Sequence, residues 1–117
     1  MPWLQTAPAL VALAAVRNLL VHRVAPVLSG VPYHWVDAGI AGEHFVLAAT
    51  AAGLGTCWIG WIRPRAVRRI LGLPRTLEVI GLLAVGFPAE PAQFRERLAL
   101  AEIARAEEWP QPWPDRQ

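Results

Sequence analysis

The nine residues Gly53-Leu54-Gly55-Thr56-Cys57-Trp58-Ile59-Gly60-Trp61 constrain the fold of this chain more than any other stretch. Three glycines and two tryptophans follow directly on an alanine-rich run. Glycine at this density lets the backbone turn sharply or lie close against a flat surface. Tryptophan supplies wide apolar area beside it. Two readings fit. In one, main-chain N–H groups read the edge of a planar ligand. In the other, a helix-ending glycine simply opens a buried strand.

The flanking sequence organises around this segment. Ala9 to Ala15 is uncharged and bounded by Pro8 and Arg17, which predicts a short strand buried on both faces. From Arg17 to Tyr33, Pro26, Ser29-Gly30 and Pro32 predict mostly loop, with a helical turn left open. Asp37 stands where an N-cap belongs, ahead of a helix over Ala38 to Ala52. Ile40, Leu47 and Leu54 share one face of it, and its many alanines predict close packing against a sheet or another helix. Gly53 or Gly55 should end it in a left-handed cap.

Thr56 to Ile59 reads as a short strand. Pro64 opens a second helix through Leu71, stopped by Gly72 and Pro74, with Arg65, Arg68 and Arg69 on its solvated side. Thr76 to Val85 is the strongest strand signal, closed by Gly86-Phe87-Pro88. Pro88 and Pro91 hold the next segment extended. A final helix is predicted over Leu98 to Glu107, followed by an irregular tail with Pro110, Pro112 and Pro114. These elements occupy residues 1–109, and 110–117 form a Pro-rich tail.

Composition narrows the possible settings. At 117 residues the chain makes one domain. It is 55% hydrophobic with a mean hydropathy of +0.34, which predicts an apolar surface covered by a partner subunit or a missing segment. The net charge of +2 is too small and too dispersed for nucleic acid, although every basic residue is arginine. The single cysteine excludes an internal disulfide and suits a reducing, cytoplasmic compartment. Phe45 to Ile62 carries no charge over eighteen residues, but Gly53, Gly55 and Gly60 would break a spanning helix, so no membrane segment is expected.

Few side chains suggest chemistry of their own. Cys57 has no base at a telling spacing and reads as a small buried apolar residue. His22, His34 and His44 lack clustered carboxylates, so no metal site is expected. No glycine-rich dinucleotide fingerprint or P-loop is present. Arg95 and Arg97 lie two apart in a proline-extended segment, so both guanidiniums project to one side. Such a pair suits a phosphate, or it is an ordinary surface pair.

These residues converge on a family. Asp37-Ala38-Gly39-Ile40-Ala41 followed by Leu47-Ala48-Ala49-Thr50-Ala51-Ala52-Gly53-Leu54-Gly55-Thr56-Cys57-Trp58-Ile59-Gly60 resembles the nitroreductase family of FMN-dependent oxidoreductases. The likeness continues through Leu71-Gly72-Leu73-Pro74, Val85-Gly86-Phe87-Pro88 and Arg95-Glu96-Arg97-Leu98-Ala99-Leu100-Ala101-Glu102-Ile103, and Trp109 closes it.

The resemblance implies an α+β, nitroreductase-like three-layer sandwich that forms an intertwined homodimer with FMN in each interface cleft. It places Trp58, Ile59, Gly60 and Trp61 along the flavin ring, with the Gly60 and Trp61 main chain at its N5 and O4 edge. Arg95 and Arg97 would hold the FMN phosphate. The implied cycle is ping-pong: NAD(P)H reduces FMN, which then reduces a nitroaromatic, a quinone or a related small acceptor. No side chain is required as acid or base, because the flavin carries the chemistry.

The family also opens with helices and an arginine- and serine-bearing phosphate motif that this sequence lacks. A fragment, a truncated gene or a missing half supplied by another polypeptide would each account for that. FMN should then bind more weakly. The alternative expectation is a non-catalytic remnant that keeps a dimer surface without flavin.

Overall fold

Leu83 is fully buried at the middle of the central strand, and the rest of the sheet is arranged around that strand. In the computed structural model the described residues are 2–16, 30–107, 109–111 and 113–114. A 3-10 turn over Pro2–Thr6 leads into β1 (Ala9–Val16), and α1 runs from Tyr33 to Ala51. There follow β2 (Gly55–Ile59), α2 (Pro64–Ile70), β3 (Leu77–Gly86) and a short α3 (Leu100–Ile103). The sheet order is β1-β3-β2, with both pairings antiparallel. The uncharged run of β3 therefore takes the centre, where Val79 and Ala84 are buried with Leu83.

The β1–β3 register slips once. Leu13 pairs with Gly81, but Ala14 pairs with Val79, which leaves Ile80 as an extra residue on β3. Side chains alternate along a strand, so one extra residue reverses the alternation beyond it. Glu78 consequently shares a face with Gly81 and Leu83, the face that α1 covers. There it holds the start of α1. Glu78 Oε2 lies 3.2 Å from His34 Nε2, and the Trp35 indole N–H donates to Glu78 Oε1 at 3.3 Å.

This attachment corrects the expected start of the helix. α1 begins at Tyr33 rather than after Asp37, and Asp37 lies exposed inside it. Pro32 precedes the first turn, and its carbonyl accepts the Trp35 N–H at 2.9 Å. The glycine stops hold as expected. Gly53 has φ 76°, with Leu54 N–H donating to the Ala49 carbonyl and Gly53 N–H to that of Thr50. Gly72 repeats the arrangement at the end of α2, with φ 64° and Leu73 N–H on the Arg68 carbonyl. Both are Schellman endings, which need a left-handed residue that glycine adopts without strain.

The last helix is shorter than its sequence suggests. It covers only Leu100–Ile103, because Ala104 is extended and Arg105 curls back over the helix end. Arg105 Nη1 donates to the carbonyls of Ala101 and Ala104 at 2.8 Å, and its guanidinium lies 4.8 Å from the Trp109 ring centroid. The chain then folds back, with Ala106 N–H bonded to the Gln111 carbonyl. Of the ambiguous stretch between Arg17 and Tyr33, residues 17–29 lie outside the described residues. No helix among the described residues is long and apolar enough to cross a membrane.

α1 meets the sheet through small residues. Ala38, Gly42 and Ala49 are buried on one side, as their spacing of four and seven residues requires. Val36, Ile40 and Leu47 occupy the opposite side and are about half exposed. The Trp58 indole from β2 fills the space that a Cβ on Gly42 would need, and it also lies over Gly81. A methyl group at position 42 would collide with that indole, and an overpacked contact costs about 1–3 kcal/mol. Gly39 faces open space, so alanine there gains only the helix preference, up to about 1 kcal/mol. Gly39→Ala is therefore expected to raise the urea midpoint and Gly42→Ala to lower it. Equal shifts in the two denaturation curves would refute this packing.

Candidate functional site

β2 carries the tryptophan segment out of the sheet at one edge. Trp58 and Ile59 pair with Leu83 and Leu82, so they project to opposite faces. Ile59 is buried at 5% exposure, while Trp58 keeps its outer part accessible at 41%. Past Ile59 the chain leaves the ladder. The Ile62 N–H donates to the Gly60 carbonyl at 2.9 Å, closing a three-residue turn with Trp61 at its apex. Trp61 is consequently 92% exposed. The segment is thus not sealed in the core.

The backbone of this turn is chemically available. Neither the Gly60 nor the Trp61 N–H donates to an acceptor among the described residues. Apart from its two chain neighbours, no described residue has an atom within 4 Å of where a Gly60 Cβ would stand. Two adjacent free donors, an open approach over a glycine and an exposed indole can receive the polar edge of a flat molecule. The residues present leave the main chain open to the edge of a flat group.

The two arginines stand apart. Arg95 and Arg97 are exposed in the irregular stretch 91–99, with no hydrogen bond or ion pair among the described residues. No hydrogen bond or ion pair among the described residues joins the arginine pair to residues 58–61. Cys57 departs from expectation: it is exposed, because its position in β2 faces away from the side that α1 covers. It borders an open concavity of about 350 Å³ at the other end of β2, with Pro8, Gly55 and Gly86.

A larger concavity of about 780 Å³ begins one residue beyond Trp61, lined by Ile62, Arg63, Pro64, Arg65, Ala66 and Arg69. A small one of about 80 Å³ lies between α2 and β3, where Arg68 is half-buried rather than fully solvated. No group of three metal-ligating side chains occurs among the described residues. Sequence reasoning missed the Gly42–Trp58–Gly81 packing and the groove after Trp61. A glycine in the middle of an alanine-rich helix was the available signal for the first.

Comparison with known proteins gives a consistent result. A family model described as the Nitroreductase family matches residues 1–87. A protein of Archaeoglobus fulgidus, provisionally named an NADH dehydrogenase/NAD(P)H nitroreductase, is 36% identical over 77 residues. That alignment covers 61% of this chain and 44% of the relative. The NADPH-flavin oxidoreductase of Vibrio harveyi is 37% identical over 65 residues, 54% of this chain and 27% of that protein. A crystal structure of a nitroreductase family protein from Clostridium difficile 630 superposes with a TM-score of 0.74 at 25% identity. The match covers 90% of this chain and 62% of that one. The chain thus spans less than half the length of these two relatives.

Proposed function

Since this chain belongs to the nitroreductase family, we propose that it forms the ring-binding part of an FMN-dependent NAD(P)H oxidoreductase. The observation that carries the reading is the free pair of N–H donors at Gly60 and Trp61 beneath an open approach. When bound, FMN would supply hydride acceptance from NAD(P)H and reduction of a nitroaromatic, a quinone or a similar acceptor in ping-pong fashion. The main-chain donors at Gly60 and Trp61 would favour negative charge at the ring edge they face. Trp58, whose outer part is accessible, would lie beside them, and Ile59, buried on the other face, would support the strand from behind. Arg95 and Arg97 would hold the FMN phosphate by charge-assisted hydrogen bonds. The single cysteine and the lack of a spanning helix among the described residues are compatible with a cytoplasmic setting.

The proposed assembly is a homodimer. Val36, Ile40 and Leu47 make an apolar stripe on the side of α1 turned away from its own sheet. Every residue from Phe87 to Leu100 is exposed, and Phe94 is 92% exposed. The Cα radius of gyration is 18.3 Å, against about 13 Å for a compact domain of roughly this size. An arm and a helix face left open in this way would be covered by exchange with a second copy.

Two measurements test these readings. Purified protein should carry visible flavin absorbance or acquire it with added FMN. Arg95→Ala with Arg97→Ala should weaken FMN binding by about tenfold or more, and Arg68→Ala with Arg69→Ala should change it little. Colourless protein that ignores excess FMN would favour a non-catalytic remnant, and equal effects of the two pairs would discredit the phosphate assignment. In sedimentation, the wild type should run as a dimer, and Ile40→Glu with Leu47→Glu should yield monomer. A monomeric wild type would remove the dimer reading.

A further inference from the structure

The stretch between Glu43 and Glu78 contains no acidic residue but five arginines, all within positions 63–75. Three of these, Arg63, Arg65 and Arg69, line the concavity of about 780 Å³ that starts beside Trp61. None of the three guanidiniums forms a hydrogen bond or ion pair among the described residues. The other concavities differ in charge. The one bordering Cys57 has no ionisable side chain except that thiol, the one beside β1 contains Asp37 and His34, and the small one near α2, which Arg65 also borders with Arg68 and Arg75, contains Glu78. Of these four concavities among the described residues, the groove after Trp61 is the one that combines several arginines with no carboxylate.

Like charges crowded in one groove raise its free energy, and an anion seated among them relieves that cost. A guanidinium is a planar fork of donors that matches a phosphate group bidentately. The groove also adjoins the exposed main-chain turn at Gly60 and Trp61. A donor whose nicotinamide lies over that turn must extend its adenosine half along a neighbouring surface, and this one is cationic. We infer that Arg63, Arg65 and Arg69 form an anion subsite for the 2′-phosphate of NADPH, so that the protein prefers NADPH over NADH. The inference rests on the oxidoreductase reading for the identity of the ligand. Its chemistry, recognition of a phosphate monoester on a ribose, can be measured without flavin.

The test is calorimetric titration of the full chain with 2′,5′-ADP and, separately, with 5′-AMP, which lacks the second phosphate. The diphosphate should bind about tenfold tighter or more, the worth of one charge-assisted hydrogen bond. The preference should diminish with added salt. Replacing Arg63→Gln, Arg65→Gln and Arg69→Gln together should abolish it, and Arg75→Gln, an exposed arginine outside the groove, should leave it intact. All three replaced side chains lie at the surface, and a melting curve confirms that the variant folds. Equal binding of the two nucleotides, or a preference that survives the triple replacement, overturns the subsite. So does inorganic phosphate binding as tightly as 2′,5′-ADP, which would indicate a general anion groove. Flavin retention is scored independently: a colourless protein that still prefers 2′,5′-ADP loses the oxidoreductase reading and keeps the subsite. A yellow protein without the preference does the reverse.

Discussion

Trp58 holds the helix and the sheet in a fixed relation. Its indole lies across Gly42 of α1 and over Gly81 of β3, and the glycine at position 42 makes room for it. A Cβ at Gly42 would hold the helix further from the sheet or displace the ring, whereas one at Gly81 would meet the ring at ordinary contact distance. The small stripe of Ala38, Gly42 and Ala49 therefore sets a short separation, and Trp58 fills the one place where that stripe leaves space. With Trp58 fixed, the next residues have little freedom. Ile59 is buried on the other face, and the chain must leave the sheet at Gly60.

The exposure of Gly60 and Trp61 follows from this local anchoring. A strand continued by one more pair would spend those N–H groups on a neighbour. Here the ladder stops at Ile59, and a tight turn directs the backbone outward. Rigid packing immediately before a free pair of donors is what a pre-arranged electrostatic site needs, because the donors pay no reorganisation cost when charge develops. The same logic explains why the large apolar residues of α1 face outward. The inner side of the helix is committed to small residues, so Val36, Ile40 and Leu47 must find cover elsewhere.

Much of this was legible in the residues. Gly53 and Gly72 marked left-handed helix ends, since few other residues tolerate that conformation, and both positions carry Schellman bonding. The uncharged run around Leu83 marked a strand, and its burial follows from having a neighbour on each side. The start of α1 was not legible. Asp37 is a good cap in isolation, but Glu78, far away in sequence, holds His34 and Trp35 and extends the helix by a turn. The length of α3 was misread for a related reason: Arg105 satisfies carbonyls at the helix end, so the chain can stop early despite favourable residues beyond. Exposure of Cys57 depends on which side of the sheet α1 occupies, and strand pattern alone does not specify that.

The surplus residue at Ile80 has a larger effect than its size suggests. By delaying the pleat by one step, it divides β3 into two halves whose odd and even positions exchange roles. One half presents glycine and leucine toward α1 as space and filler, and the other turns a carboxylate to the same side as an anchor. A uniform strand would have sent Glu78 to the far side of the sheet and left the leading turn of the long helix untethered. This one irregularity allows a single central strand to serve at both ends of the molecule, as packing surface and as mooring.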